Sequence, residues 1–150
     1  MAIDSKEKIR FIKFAIVGIS GTIIDVGIFN FLFQSVGIID ELAKVISFSI
    51  AVFNNFFWNR FWTYPETKNT PFFRQMSKFL IVSIVGLGIN VIIYSISKNI
   101  SIDFAKLIFP DDFFLNSTII GKNISVGLAT IVVLFWNYFA NRFWTFKNNY

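Results

Sequence analysis

The sequence contains no cysteine and no histidine, and only three of its residues are proline. Without cysteine, disulfides and thiolate catalysis are excluded, and without histidine, imidazole acid–base chemistry is excluded as well. The loss of both residue types also removes the usual zinc ligands. Charge is scarce too, since 15% of the 150 residues are charged, whereas a soluble domain usually carries about a quarter. What remains is a chain that is 55% hydrophobic and 19% aromatic.

The apolar residues form four long blocks, at roughly 11–36, 42–62, 76–97 and 118–144. Each block is near or above the ~20 residues that a helix needs to cross a bilayer. The blocks are hydrophobic all round, which favours lipid over a water-soluble bundle. We therefore predict an all-α polytopic membrane protein whose four transmembrane helices form one domain over residues 1–150. The first block lacks a signal-peptide cleavage site, so we expect it to stay in the mature protein.

Basic residues cluster before the first block, in the second connection and at the C-terminus. They are Lys6, Lys8, Arg10, Lys13, Arg60, Lys68, Arg74, Lys78, Arg142 and Lys147. The first connection is acidic and the third, at about 98–121, is mixed and long enough for a short interfacial helix around "FPDDFF". The positive-inside rule then places both termini and the middle loop in the cytoplasm, with the protein in the cytoplasmic membrane. The net charge of +5 fits this orientation and anionic lipid better than nucleic acid.

The phrase "NRFWTY" at 59–64 recurs as "NRFWTF" at 141–146, and it belongs to a longer internal repeat. The segment from Lys13 aligns with that from Lys78, and "AKVIS" (43–47) resembles "GKNIS" (121–125). From Lys122 to Asn137 the second copy has four more residues than the first copy has from Lys44 to Asn55. Four residues are about one helical turn, so both copies keep roughly the same face. We predict two helical hairpins, at about 13–64 and 78–146, in parallel orientation around a pseudo-two-fold axis along the membrane normal.

Asp25 lies near the middle of the first block, and its repeat counterpart is Asn90. A carboxyl group at that depth costs about 2.5–3.5 kcal/mol on insertion scales, so we expect it to face the bundle interior and to have a partner. One interpretation is a polar site on a substrate or proton route. The alternative is a packing residue that is protonated and hydrogen-bonded to Asn90 or Thr22.

Pairs of asparagines stand four residues apart near the end of the second and fourth blocks, and each pair is followed by an arginine. Neutral amides can line a polar groove, and arginine can grip a phosphate through two hydrogen bonds. The alternatives are membrane anchoring for the arginines and snorkelling for the lysines at the opposite helix ends. We predict no catalytic or metal-binding residue. The predicted substrate-binding residues are Lys13, Asp25, Lys44, Asn55, Asn59, Arg60, Lys78, Asn90, Lys122, Asn137, Asn141 and Arg142.

The pattern "FxxVGxxGTxxD" in the first helix and the repeated "NxxxNRxWTF" phrase resemble the GtrA-like membrane proteins, over nearly the whole chain. The resemblance implies four helices and the flipping of a polyprenyl-phosphate sugar, made by a cytoplasmic glycosyltransferase, for polymers such as O-antigen, arabinogalactan or teichoic acid. The short chain, rich in Phe, Ile and Asn, is similar to teichoic-acid glycosylation proteins of Gram-positive bacteria. The second copy departs from the pattern, because Ser83 and Asn90 replace Gly18 and Asp25.

The preferred hypothesis is a translocator in which Arg60 and Arg142 capture phosphate inside while Lys44 and Lys122 receive it outside. A second hypothesis is an accessory subunit that anchors or activates a membrane glycosyltransferase. An enzyme using outer carboxylates (Asp40, Glu41, Asp111, Asp112) is disfavoured because the chain has no acceptor-binding domain, and a small proton-coupled exporter would not explain the duplicated phrase. We expect no cofactor. The expected partners are a polyprenyl-phosphate-linked sugar and membrane lipid, with a glycosyltransferase and a second copy of the chain left open.

Overall fold

The structure, a computed structural model, describes residues 5–109 and 116–147. Within these ranges it is helical and has no strand, which confirms the all-α prediction. The four α-helices are α1 (Ser5–Asn30), α2 (Asp40–Trp58), α3 (Phe72–Ile108) and α4 (Ser117–Ala140). Three of them continue into π-helices, named here π1 (Phe31–Val36), π2 (Asn59–Thr63) and π3 (Asn141–Thr145), and a single 3-10 turn covers Pro65–Thr67.

Three helical stretches in the described ranges are long and apolar enough to cross a membrane: Ser5–Val36, Phe72–Ile108 and Ser117–Thr145. Their outward faces expose large aliphatic side chains; Ile23, for example, is 68% exposed. Such faces are stable in lipid and unfavourable in water. The protein is therefore a multi-pass membrane protein.

The remaining helix, α2, is less apolar because it carries Lys44 and two asparagines, Asn54 and Asn55, with a third, Asn59, at the start of π2. It nevertheless runs antiparallel to α1 along most of its length. Lys44 near its start binds Asp25 of α1, and the backbone of Trp62 at its far end binds Lys13. Because the two helices share both ends, α2 reaches the same depths as α1.

The third helix is longer than predicted. We expected it to end near residue 97 and to leave a connection over 98–121, but α3 runs to Ile108 and α4 begins at Ser117. No glycine or proline interrupts the chain between Gly88 and Pro110, so nothing ends the helix earlier. At 1.5 Å per residue its 37 residues span about 55 Å, more than the ~30 Å of hydrocarbon. The Pro-Asp-Asp-Phe-Phe part of the expected interfacial helix lies outside the described residues.

The chain divides into two compact units, Met1–Leu80 with Asn141–Tyr150, and Ile81–Ala140. The core of the first unit is aromatic: Phe14, Phe56, Tyr64, Phe79 and Phe146 are all buried. Tyr64 and Phe146, which occupy equivalent positions in the repeat, stack with ring centroids 4.7 Å apart and planes 13° apart. The ends of the two repeated phrases therefore meet in one core.

In the second unit, α3 and α4 approach each other closely at Gly121. A Cβ atom added there would lie 2.4 Å from the Cα of Ile102. The neighbouring buried residues are small as well: Ser101, Ala105, Ser125 and Ala129. Small side chains let membrane helices pack backbone to backbone, so this contact depends on a glycine at position 121.

Candidate functional site

In each repeat, an asparagine amide packs against a glycine on the neighbouring helix. A Cβ added to Gly21 would lie 2.2 Å from Oδ1 of Asn55, and one added to Gly86 would lie 2.9 Å from Oδ1 of Asn137. Glycine leaves room for the amide at both positions, and a larger residue would displace it. The amides predicted as site residues therefore face a neighbouring helix rather than lipid.

These amides belong to a row of small and polar residues that follows one side of α2 at intervals of four. The row, which we call the polar row, consists of Ser47, Ala51, Asn55, Asn59 and Thr63, and it recurs along α4 and π3 as Ser125, Ala129, Asn137, Asn141 and Thr145. Val133 supplies the extra turn in the second copy. All of these residues are buried except Asn55 and Asn137, which are half-buried.

Several acceptors of the polar row are unsatisfied. In α2 and π2, the side-chain oxygens of Asn55, Asn59 and Thr63 are buried and have no hydrogen-bond partner among the described residues. Asn59 uses its amide nitrogen locally, donating to the backbone oxygen of Asn55 at 2.9 Å. Buried polar groups usually find partners, because leaving one unpaired is costly. The interior of this hairpin can therefore accept hydrogen bonds from water or from a polar group of a ligand.

Asp25 binds residues of α2, not the partners expected from the sequence. Lys44 Nζ donates to its Oδ2 and Ser47 Oγ to its Oδ1, both at 2.6 Å. Thr22 instead donates to the carbonyl oxygen of Gly18 on its own helix, at 3.2 Å. Asp25 lies twelve residues before Gly37 and Lys44 lies seven residues after it, so matching distances from the α1–α2 connection would not have suggested the pair.

The equivalent residues of the second repeat, Asn90 and Lys122, are not brought together in this way. In the described part of the chain neither forms an ion pair or a hydrogen bond from its side chain, and Lys122 is exposed. The acid that would neutralise this lysine is absent because Asn90 stands where the first repeat has Asp25.

Both copies of the sequence Asn-Arg-Phe-Trp-Thr form a π-helix, and a lysine caps each one. The hydrogen bonds between residues five apart, which define a π-helix, run from Tyr64 N–H to Asn59 O at 2.8 Å and from Phe146 N–H to Asn141 O at 2.7 Å. A helix end leaves carbonyl oxygens without partners. Lys13 donates to the carbonyl oxygen of Trp62 at 3.3 Å, and Lys78 donates to the carbonyl oxygen of Trp144 at 3.2 Å.

Each capping lysine also lies over the ring of the tryptophan whose carbonyl it binds. The Nζ-to-centroid distances are 5.2 Å for Lys13 over Trp62 and 5.5 Å for Lys78 over Trp144. Cation–π contacts of this kind add to the hydrogen bond. Lys13 and Lys78 therefore play the same structural part in both repeats.

Arg60 is buried and holds the segment that connects the two repeats. It donates to the side-chain oxygen of Gln75 and to the backbone oxygens of Lys68 and Thr70, the last two at 2.5 and 2.8 Å. Gln75 passes the contact on, donating to Thr67 Oγ1 at 3.1 Å and to the carbonyl oxygen of Thr145 at 3.3 Å. The guanidinium thus ties this connection to the start of α3.

Arg142 makes a different contact, with a carboxylate near the start of α1. Its Nε lies 3.0 Å from Oε2 of Glu7 and its Nη2 lies 2.9 Å from Oε1. Arg10 donates to the same Glu7 at 2.5 Å and also to Glu66. Each repeated arginine therefore binds the segment that precedes the other repeat, but only Arg142 does so through a charge pair.

A basic cavity of about 80 Å³ opens beside Lys78 and Trp144, and we call it the α3 cavity. Arg74 and Lys147 also line it. In the sequence these two residues contribute only to the positive charge near the apolar blocks, and they are not among the predicted site residues. Their closeness depends on the chain end returning to the start of α3, which no local pattern reveals.

The structure as a whole defines a small multi-pass membrane domain built from a duplicated hairpin with polar helix interfaces. A model of the family "GtrA/DPMS, transmembrane domain" matches residues 13–146. The chain belongs to this family, and the resemblance noted in the sequence is confirmed.

Two relatives contain a segment similar to this chain. The chain is 32% identical over 123 residues to a dolichol-phosphate mannosyltransferase of Pyrococcus furiosus, a match that covers 82% of this chain and 32% of that protein. It is 27% identical over 145 residues to the uncharacterized membrane protein YngA of Bacillus subtilis, covering 96% of this chain and 84% of that protein. The chain thus spans about a third of the mannosyltransferase and most of the Bacillus protein.

Proposed function

We propose that this protein translocates a polyprenyl-phosphate-linked sugar across the cytoplasmic membrane, for glycosylation of a cell-surface polymer such as teichoic acid or O-antigen. The substrate class is supported by the Pyrococcus relative, whose name joins a sugar transfer to dolichol phosphate, a polyprenyl-type phosphate. The matched residues form a membrane domain with polar helix interfaces, which supports transport as the proposed activity.

The observation that carries the proposal is the buried polar row, present in both α2 and α4. A sugar phosphate cannot cross ~30 Å of hydrocarbon unaided, whereas its polyprenyl chain is stable in the lipid. A row of amides and hydroxyls offers hydrogen bonds at successive depths at a lower insertion cost than charges. In this proposal Asn55, Asn59, Asn137 and Asn141 contact the sugar headgroup during passage.

The distribution of charged residues supports a direction of transport, from the cytoplasm outwards. The end of the first unit that contains Lys13, Arg60, Lys78 and Arg142 is rich in cations, and the positive-inside rule places that end and both termini in the cytoplasm. Lys44 and Asp25 then lie towards the outer face of the first unit, and Lys44 and Lys122 are the proposed receiving cations of their own repeats. Asp25 pairs with Lys44, which lowers the attraction of this lysine for the phosphate and so aids release into the outer leaflet.

Transport in vesicles made with purified protein alone tests the proposal. Labelled polyprenyl-phosphate sugar should reach the opposite leaflet faster than in protein-free vesicles. Replacing one amide in each copy, Asn59→Leu with Asn141→Leu, should slow transport at least about tenfold, the kinetic equivalent of ~1.4 kcal/mol. The matched control replaces two exposed asparagines outside the polar row, Asn99→Leu with Asn123→Leu. Equal rates with and without protein would exclude autonomous flipping.

A second candidate function is an accessory subunit that anchors or activates a glycosyltransferase. The observation that favours it is that the Pyrococcus protein carries its matching segment in the same chain as a further two-thirds of its length. The matching domain of this protein could supply the same contact to a transferase carried on another chain. Stoichiometric co-purification with a transferase, together with no transport by the protein alone, would support this candidate over the first.

A further inference from the structure

The α3 cavity lies where α3 begins, and the end of π3 forms part of its wall. Its volume of about 80 Å³ is several times the ~10–15 Å³ that one water molecule requires. Thr70 and the buried Gln75 contribute polar wall atoms, and Trp144 contributes an indole. The cavity can therefore admit a small polar group.

Three cations face this cavity, Arg74, Lys78 and Lys147, and among the described residues no carboxylate lines it. In the described part of the chain none of the three forms an ion pair. Lys78 uses one of its three N–H donors on the carbonyl oxygen of Trp144. Arg74 and Lys147 donate to no described residue. The cavity thus combines positive charge with many unused donors, which suits the oxygens of a phosphate.

The equivalent place in the first repeat cannot bind an anion in this way. Ile9 stands there in place of Arg74, and Pro65 in place of Lys147. Arg10, which replaces Gln75, is neutralised by Glu7 and Glu66. Lys13, the counterpart of Lys78, is then the one cation at this place that forms no ion pair among the described residues. The cluster of three cations is therefore a property of the second repeat and does not follow from the duplicated architecture.

The cavity wall is held in place by Arg60. This guanidinium binds the backbone oxygen of Thr70 and the side chain of Gln75, and Gln75 in turn binds the backbone of π3. Two walls of the cavity are therefore fixed before any ligand binds, which lowers the entropic cost of binding. Arg60 is a positioning residue for the cavity.

From this geometry we infer that the α3 cavity binds the phosphate group of a lipid-borne phosphate ester through Arg74, Lys78 and Lys147. Trp144 is 44% exposed beside these cations, and indole rings favour the headgroup depth of a bilayer. A phosphate attached to a lipid tail is therefore better placed to reach the cavity than one from solution. The polyprenyl nature of the lipid rests on the proposed function; the phosphate site does not.

Binding of a short-chain prenyl phosphate to the purified full-length protein, measured by calorimetry, tests the inference. Arg74→Gln with Lys147→Gln should weaken binding at least about tenfold, the usual effect of losing ~1.4 kcal/mol. Lys8→Gln with Lys68→Gln removes the same charge from exposed positions outside the cavity and should change the affinity less than about twofold. Equal losses in the two double variants would overturn the inference, since binding would then depend on net charge.

A parallel titration with inorganic phosphate separates the two sources of the ligand. Weaker binding of inorganic phosphate than of prenyl phosphate supports a lipid-borne ligand, whereas equal affinity would overturn that part of the inference. The outcome is independent of the transport assay. Cavity-dependent binding without transport would refute the proposed function and support the phosphate site. Transport without cavity-dependent binding would support the proposed function and refute the phosphate site.

Discussion

The two hairpins share helix-packing contacts but not their charges. In both, an amide rests on a glycine and a lysine caps a π-helix. In the first repeat Lys44 pairs with Asp25 and Arg10 with Glu66, whereas Lys13 and Arg60 bind neutral acceptors among the described residues. The second leaves Lys122 at one end and the three cations of the α3 cavity at the other without an acidic partner in the described ranges.

This difference separates what the fold requires from what a ligand would require. Features present in both copies, such as the contact of Gly21 with Asn55 and that of Gly86 with Asn137, hold each helix pair together. Arg74 and Lys147 are cations that only the second copy has, and they take no part in that packing, so their positive charge is available to an anion. The comparison therefore supports the proposal that the α3 cavity, and not its counterpart in the first repeat, binds an anion.

The largest expected effect concerns the glycine at the α3–α4 contact, for which the first repeat has Ala43. Gly121→Ala should lower the free energy of unfolding by about 3 kcal/mol, because the added methyl group meets the backbone of Ile102 and not a flexible side chain. Thermal unfolding of the detergent-solubilised protein measures the change.

Gly127→Ala provides a matched control on the same helix, since a Cβ at that position meets nothing within 4 Å. It should be neutral or stabilise by up to about 1 kcal/mol through helix propensity. If both variants unfolded at the wild-type temperature, the close approach of the two helices would be wrong.

A smaller and unequal effect is expected for the two repeated arginines. Arg60→Gln removes a charged donor from two backbone oxygens and from Gln75, which should cost roughly 2 kcal/mol of stability. Arg142→Gln leaves Glu7 paired with Arg10, and because these side chains are partly exposed the cost should be about 0.5 kcal/mol. Unfolding of the two single variants under the same conditions gives the difference.

The two arginine variants should also differ in ligand binding. Arg60→Gln should weaken prenyl-phosphate binding because it releases two walls of the α3 cavity, whereas Arg142→Gln should leave the affinity close to that of the wild type. Equal losses of affinity would instead favour the sequence-based hypothesis that both arginines contact phosphate directly.

Much of this architecture could be predicted because short stretches of the sequence determine it. Apolar blocks define the helices, and the duplicated phrase revealed that Lys13 and Lys78, or Asn59 and Asn141, occupy equivalent places. The extent of α3 was missed because Lys98, Asp103 and Lys106 suggested a loop, although charged residues are compatible with a helix that leaves the membrane.

The contacts that could not be predicted join residues far apart in the sequence. Arg60 with Gln75 and Arg142 with Glu7 depend on how the repeats return to each other's starting segments. The α3 cavity depends on the same return, because Arg74 and Lys147 come from opposite ends of the second repeat. A repeat alignment shows which residues are equivalent, but it does not show which ones meet.

The smallest expected effect comes from moving the carboxylate of Asp25 in the first repeat to the equivalent position, Asn90, in the second. This exchange tests directly whether the two repeats are interchangeable. Asn90→Asp alone should slow transport about threefold. The new carboxylate would occupy the position equivalent to Asp25 and neutralise Lys122, which would cost the anion ~0.7 kcal/mol of attraction. Asp25→Asn alone should change stability by less than about 1 kcal/mol, since Lys44 is more than half exposed. The double variant Asp25→Asn with Asn90→Asp keeps the net charge of the wild type. If the second repeat handles the anion, the double variant transports as slowly as Asn90→Asp; if the repeats are interchangeable, it transports at the wild-type rate.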